Sequence, residues 1–163
     1  MHGFWPDKLK YQFSTASRAA IFGDSLVTEI ELTPLIEKLR IGKIKTTLRE
    51  IRKTKTVPGP DYSTAEGWHG MWKRETDILS KTFEVPEGCE DTDPQLDIPM
   101  FKFKSLFKLP ESLTQCRQSV EYNEWIRIKH MVIYSVTLIN PDGHLSEVSE
   151  LVSSVLIVLL IPE

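Results

Sequence analysis

Apolar and polar side chains alternate along residues 126–140. One parity of this stretch carries the apolar residues Ile126, Ile128, Val132, Tyr134, Val136 and Leu138. The other parity carries Arg127, Lys129, Ser135 and Thr137. A period of two predicts a long strand with one buried face. Each buried apolar side chain contributes about 1.5–3 kcal/mol, but ordering the chain consumes most of that gain, so a second layer must complete the core.

This stretch ends in the turn signal Asn140-Pro141-Asp142-Gly143. Pro141 presets φ at the second turn position, and Gly143 accepts a positive φ at the fourth. We therefore expect a return strand that begins near Leu145 and completes a long hairpin.

Seven further segments have strand character: residues 9–13, 26–32, 44–56, 74–85, 100–106, 115–120 and 145–161. Eight strands separated by turn residues predict an all-β sandwich in one domain that spans residues 1–163. One short helical turn is expected over Thr33–Leu39, with Thr33 as N-cap and Pro34 at the first helical position.

Two segments lack strand periodicity and are predicted to be mobile loops, near residues 57–72 and 86–99. Val57–Trp72 is rich in Pro and Gly. Glu84–Asp97 holds six acidic residues and no Lys or Arg, so repulsion between like charges predicts a solvated acidic loop.

Composition limits the partners and the cellular compartment that the chain is expected to have. The net charge of −3 gives the whole chain no bulk attraction to nucleic acid or to an anionic membrane. The two cysteines, Cys89 and Cys116, are too few for a disulfide framework, so we expect free thiols in a reducing compartment. The longest apolar run, Val155–Ile161, is far shorter than the about 20 residues of a membrane-spanning helix.

Three collinear blocks resemble the C-terminal domain of fungal α-arrestins, the arrestin-related trafficking adaptors. They are Trp5–Tyr11 with Ser17–Asp24, Leu32–Leu35 with Leu39–Ile44, and Ile128–His130 with Asn140–Glu147. The resemblance implies an immunoglobulin-like β-sandwich of antiparallel strands, which is one half of the two-lobed arrestin fold.

The same resemblance implies a function. Such adaptors link cytoplasmic tails of plasma-membrane transporters or receptors to WW-domain ubiquitin ligases of the HECT type, and ubiquitination then drives endocytosis. The implied location is cytoplasmic and peripheral, at the plasma membrane or endosomes. Family members recruit the ligase through PPxY motifs, whereas Gly59-Pro60-Asp61-Tyr62 lacks the first proline. Since a WW groove reads both prolines, we expect an indirect link to the ligase.

The most pronounced charge pattern is a basic stripe on one parity of residues 43–55: Lys43, Lys45, Arg49, Lys53 and Lys55. Several cations on one sheet face bind oxyanions together. The stripe predicts contact with an anionic lipid head group, with a phosphorylated or acidic tail, or with the chain's own acidic loop. A merely solvated hairpin face is the alternative.

Two tryptophans, Trp68 and Trp72, stand in the predicted loop. Exposed Trp often anchors protein interfaces, so they predict either an interaction site or a cover over a sandwich edge.

Metal and catalytic signals are weak. The acidic run lacks the offsets of a calcium loop, and the four histidines are too scattered for zinc. His130, on the inward parity, is expected to be a hydrogen-bonded structural histidine. No nucleophile elbow, phosphate loop or His-Glu-x-x-His motif occurs. We therefore expect no enzyme activity, no cofactor, no metal and no nucleic-acid partner.

Two other functions are also consistent with the sequence. An immunoglobulin-like module that binds a lipid or a carbohydrate would show a groove lined with aromatic residues. A nonfunctional arrestin fragment would be poorly soluble alone.

Overall fold

A computed structural model of the chain describes residues 2–15, 19–21, 23–56, 71–111, 117–121 and 124–158. These residues form eleven strands and no helix: β1 (His2–Trp5), β2 (Leu9–Thr15), β3 (Ala19–Ile21), β4 (Ser25–Pro34), β5 (Arg40–Thr56), β6 (Met71–Phe83), β7 (Glu90–Thr92), β8 (Pro99–Lys108), β9 (Arg117–Glu121), β10 (Glu124–Ile139) and β11 (Leu145–Val158). Within this part of the chain, nothing resembles a helix long and apolar enough to cross a membrane.

The strands form two sheets. The first sheet has the order β1-β2-β4-β8-β7, and the second has the order β3-β11-β10-β5-β6, with β9 also paired to β10. Every pairing is antiparallel except that of β11 with β3. The predicted all-β sandwich is therefore confirmed.

The hairpin of β10 and β11 forms as the alternation predicts. Val132, Tyr134, Val136 and Leu138 are buried in the core, and the return strand begins at Leu145. Gly143 has a φ of 89°, which an L side chain adopts only at a cost. The Asn140 side-chain amide closes the turn by donating to the His144 carbonyl at 2.8 Å.

The hydrophobic core lies between the two sheets. Its members come from both layers, with Leu9, Phe13 and Ile30 from the first sheet and Ile44 and Tyr134 from the second.

Tyr134 also joins the layers directly. Its ring stacks on Phe13 at a centroid distance of 4.6 Å, and its hydroxyl shares a hydrogen bond of 2.6 Å with the Thr28 hydroxyl. Burial raises the pKa of Tyr134, so the phenol stays protonated.

The short helical turn predicted at Thr33–Leu39 is wrong. β4 continues to Pro34, and the Leu39 amide donates to the Ile36 carbonyl in a tight turn where Lys38 has a φ of 67°. The reason is pairing: β2 binds β4 through to the Leu9 and Pro34 pair, so the ladder overrides the local capping signal.

The acidic segment is not solvated throughout. β7 pairs with β8, and the Asp93 side chain is only 2% exposed. Its carboxylate accepts hydrogen bonds from Lys10 Nζ at 2.9 Å and Thr33 Oγ1 at 3.0 Å. The amides of Gln95 and Leu96 donate to it as well, at 2.9 and 3.1 Å. Led by the Lys10 ammonium, these donors hold the pKa of Asp93 far below its ordinary range.

The other predicted loop lies almost wholly outside the described residues, because it covers positions 57–70. Its last two positions belong to β6 instead. Trp72 is therefore a strand residue, paired with Thr54 of β5, and not a loop residue.

Candidate binding surface on the outer face of the second sheet

β5 carries all five residues of the predicted basic stripe on one face. The strand runs between β10 and β6, and its pairing with β10 keeps one register from Ile44 to Thr56. Ile44 and Leu48 are fully buried in the core. Since successive side chains alternate between faces, the odd-numbered residues of β5 lie on the outer face. Lys43 also lies on this face, next to a shift in the register between β5 and β10.

Burial divides the stripe into two parts. Thr47, Ile51 and the neighbouring Ile133 of β10 are buried on this outer face, at 6%, 5% and 9% exposure. Lys43 and Lys45 are exposed on one side of this buried strip. Lys53 and Lys55 are half-buried on the other side, so the five cations do not form one continuous row.

Arg49, in the middle of the stripe, is bound to acidic side chains of β6. Its Nε lies 2.7 Å from Asp77 Oδ1, and its Nη1 lies 3.6 Å from Glu75 Oε2. The hydrogen bond to Asp77 raises the pKa of Arg49, and the guanidinium lowers the pKa of Asp77 in return. Arg49 is therefore less available to an outside anion than its position in the sequence indicates.

A denser concentration of positive charge lies across three strands. Lys53 of β5 pairs with Arg127 of β10 on one side and with Lys73 of β6 on the other. Lys55 lies two residues after Lys53 on β5, and Lys129 lies two residues after Arg127 on β10, both on the same face. We call Lys53, Lys55, Lys73, Arg127 and Lys129 the cationic cluster.

The cluster places like charges side by side. Directly opposed residues have Cβ atoms about 4.5–5.5 Å apart, and like charges at that spacing destabilise a sheet. Lys73 is partly compensated, because its Nζ lies 2.8 Å from Glu75 Oε1, and this contact lowers the pKa of Glu75. Arg127 is exposed to solvent. An oxyanion bound over the row would relieve this repulsion.

The sequence-based stripe contained only Lys53 and Lys55 of this cluster. Arg127 and Lys129 were predicted to point outward, but nothing local in the sequence says that they lie beside Lys53. That knowledge needs the register of β10 against β5.

The two tryptophans are not brought to the cluster by any described contact. Trp72 is 75% exposed, and it precedes Lys73, so it lies on the opposite face of β6. Trp68 lies outside the described residues. The prediction that the two form one interaction site stays a prediction.

One groove of about 610 Å³ lies at the end of the sandwich where β5 begins. Aliphatic residues line it, with Lys43 and Glu84 also present: Ile41, Val85, Ile139 and Leu145. An aromatic lining, which a carbohydrate- or lipid-binding module would favour, is absent from this groove.

Metal-binding clusters are lacking in the described ranges, where no three His, Cys, Asp or Glu side chains come together suitably. His130 is buried, with its Nε2 3.3 Å from Glu50 Oε2, and desolvation lowers its pKa. This placement agrees with a structural histidine. Cys89 is a free thiol whose pKa burial raises, which disfavours the nucleophilic thiolate.

Comparison with known proteins gives the family. The family model for the arrestin (or S-antigen) C-terminal domain matches residues 5–163. The probable HECT-type ubiquitin ligase-interacting protein creD of Aspergillus terreus is 32% identical over 152 residues, which cover 90% of this chain and 25% of that protein. The HECT-type ubiquitin ligase-interacting protein creD of Emericella nidulans is 32% identical over 153 residues, covering 90% and 24%.

The chain thus spans about a quarter of the length of these curated relatives. The solved structure of Spo0M, a sporulation control protein from Bacillus subtilis, covers 92% of this chain and 49% of its own at 12% identity, with a TM-score of 0.49. That similarity is too weak to carry an argument. The family model and the fungal relatives together show that the chain belongs to the arrestin family and carries its C-terminal domain.

Proposed function

We propose that this chain acts as a non-enzymatic adaptor domain in ubiquitin-dependent endocytosis and trafficking of membrane transporters or receptors. The observation that carries the proposal is the similarity to fungal proteins named for their interaction with a HECT-type ubiquitin ligase. A two-sheet sandwich that exposes charged faces suits a role that works through contacts.

The link to the ligase is proposed to be indirect. A WW domain reads two prolines, and the segment Gly59-Pro60-Asp61-Tyr62 offers one. We therefore propose that the ligase reaches the target through a further protein.

The cationic cluster is proposed as the surface that meets the target. Its five cations favour an acidic or phosphorylated cytoplasmic tail, and anionic lipid is a further partner. Lys43, Lys45 and Arg49 belong to the same face and extend it toward the other end of β5. Trp68 and Trp72 are proposed as additional contacts. The site of action is the cytoplasmic side of the plasma membrane or of endosomes.

Affinity capture tests the proposal. The tagged chain is expressed in fungal cells as wild type and as the triple variant Lys53→Gln/Lys73→Gln/Arg127→Gln. We expect the wild type to co-purify a HECT ligase and membrane transporters, and the variant to keep the ligase but lose the transporters. Capture of neither by the wild type contradicts the adaptor function.

A matched control separates charge placement from net charge. Lys38→Gln/Arg52→Gln/Arg74→Gln removes three exposed cations that lie outside the cluster instead. If this variant loses transporters as fully as the cluster variant, the cluster is not the target surface.

A further inference from the structure

β8 of the first sheet has a backbone edge that is only partly covered. β8 pairs with β4 from Phe101 to Lys108 on one side. On the other side, β7 pairs only with residues 99–101. Among the described residues, no strand binds positions 103–108 on that side. The chain meets this edge only after Gly88, which has a φ of 75°, and its first backbone bond to β8 is at Cys89.

Two hydrogen bonds show which backbone groups face this open side. The Lys102 amide donates to the Cys89 carbonyl at 3.0 Å, and the Leu106 carbonyl accepts from Lys81 Nζ at 3.1 Å. In an antiparallel ladder, every second residue directs both its N–H and its C=O to the same neighbour. Lys104 therefore also faces the open side, and the amides of Lys104 and Leu106 point there with it.

The side chains at this edge have a defined pattern. Lys104, Leu106 and Lys108 occupy every second position of β8, so all three lie on the outer face of the sheet, where they are exposed. Leu106 is 57% exposed, and its partner on β4, Val27, is 39% exposed. Within the described part of the chain, neither Lys104 nor Lys108 has an ion pair. An aliphatic position flanked by two cations thus borders the open edge.

We propose that the edge of β8 over residues 104–108 binds an extended peptide of another protein as an added antiparallel strand. The peptide carries acidic residues opposite Lys104 and Lys108 and an aliphatic residue opposite Leu106. The exposed backbone groups supply affinity, and the alternating side chains supply specificity. The added strand displaces the Lys81 ammonium from the Leu106 carbonyl.

The charges at the edge decide between an acidic peptide and a second copy of this chain. Two copies paired about Leu106 would set Lys104 of one directly opposite Lys108 of the other. Opposed like charges destabilise such a pair, and lysines on edge strands commonly prevent self-pairing. The same lysines attract acidic side chains. The edge therefore disfavours a second copy of this chain and selects an acidic partner.

Binding to a synthetic peptide tests this proposal. The probe is fluorescein-labelled Thr-Glu-Thr-Val-Thr-Glu-Thr-Val-Thr-Glu, whose length of about ten residues matches a long strand. A second probe replaces each Glu with Lys. Fluorescence anisotropy with the full chain should show binding of the acidic probe and at least about tenfold weaker binding of the basic probe.

Two substitutions at one position separate backbone from side chain. Leu106→Pro removes the outward amide and spares the bonds to β4, which come from odd-numbered residues. We expect it to weaken acidic-probe binding at least about tenfold, because a backbone bond is lost and the ring blocks the edge. Leu106→Ala keeps the amide and should stay within about threefold of the wild type.

A charge-reversed variant keeps the proposal testable if Leu106→Pro does not fold. Lys104→Glu/Lys108→Glu should lose the acidic probe and gain the basic one. Equal binding of both probes by the wild type, or no effect of these variants, would overturn the proposal. Sedimentation that shows a dimer abolished by Leu106→Pro would assign the edge to a second copy and overturn it too. Failure of the adaptor proposal leaves this test intact, since it uses purified chain and peptide only.

Discussion

Replacing Asp93 with asparagine removes a single negative charge from the point where β2, β4 and the segment after β7 meet. The wild-type carboxylate is 2% exposed and accepts from four donors, one of them the Lys10 ammonium. Asparagine keeps the size of the side chain, but it offers one acceptor oxygen and adds two donors of its own. The asparagine oxygen can keep the bonds from the Gln95 and Leu96 amides, which reach Oδ1, whereas the Lys10 ammonium and the Thr33 hydroxyl, which donate to Oδ2, lose their acceptor.

The expected loss of stability follows from two magnitudes. Removing one partner of a buried ion pair costs about 3–5 kcal/mol. Lys10 is 19% exposed, so its ammonium regains water in the variant and the cost falls toward the lower end. We expect about 2–4 kcal/mol less free energy of unfolding for Asp93→Asn, and a Tm lower by about 5–15 °C.

The pH dependence gives a sharper test. The folded-state pKa of Asp93 lies below its ordinary value of 3.8. Such a group stabilises the fold above the ordinary pKa, and this contribution is lost as the pH falls through that value and below it. The difference in unfolding free energy between wild type and Asp93→Asn should therefore be full at pH 7 and shrink from about pH 5 downward.

The assay is urea unfolding followed by far-UV circular dichroism between pH 7 and pH 3. Glu87→Gln is the matched control, because Glu87 is an exposed carboxylate of the same segment. It should change the unfolding free energy by less than about 0.5 kcal/mol at any pH. A variant Asp93→Asn as stable as the wild type at pH 7, or a difference that does not vary with pH, would refute the reasoning.

Three further predictions concern stability and use urea unfolding at pH 7. Tyr134→Phe leaves the buried Thr28 hydroxyl without its 2.6 Å partner and should cost about 1–3 kcal/mol; a change below 0.5 kcal/mol would contradict the bridge between the sheets. Gly143→Ala places a Cβ at a φ of 89° and should cost about 1–2 kcal/mol, whereas an unchanged midpoint would show that the turn relaxes freely. Arg49→Gln breaks an ion pair whose carboxylate partner, Asp77, is 52% exposed, so the cost should stay below about 1 kcal/mol, and a larger loss would show a structural role for Arg49.

The hairpin of β10 and β11 was predictable because one face of it is buried. Burial forces alternation on the sequence, so the pattern of Val132, Tyr134 and Val136 indicates the strand and its inner face. The turn residues carry the reversal, with Gly143 supplying the positive φ. Local chemistry was sufficient for both.

Asp93 was not predictable in the same way. Its partners Lys10 and Thr33 are 83 and 60 positions away in sequence. Within its own segment it is one acidic residue among several, and a local charge count places all of them in solvent. Only the packing of the segment against the first sheet distinguishes it.

The cationic cluster could be predicted from the sequence only in part. The alternation of β5 correctly places Lys53 and Lys55 on one outer face. The contributions of Arg127 and Lys73 depend on which strands flank β5 and in which register, and neither follows from a single strand. The prediction that Trp72 lies in a loop was wrong for a related reason, since its membership in β6 is set by pairing with β5 and not by its own neighbours.

We propose that this domain presents membrane proteins to a ubiquitin ligase through charged surfaces. The most direct measurement is the ubiquitinated fraction of plasma-membrane transporters, by quantitative proteomics, in three fungal strains. One lacks the chain, and the other two are the same strain complemented with wild type or with Lys53→Gln/Lys73→Gln/Arg127→Gln. Restoration by the wild type and failure of the triple variant at equal abundance is the predicted result. Equal ubiquitination in all three strains would contradict the claim.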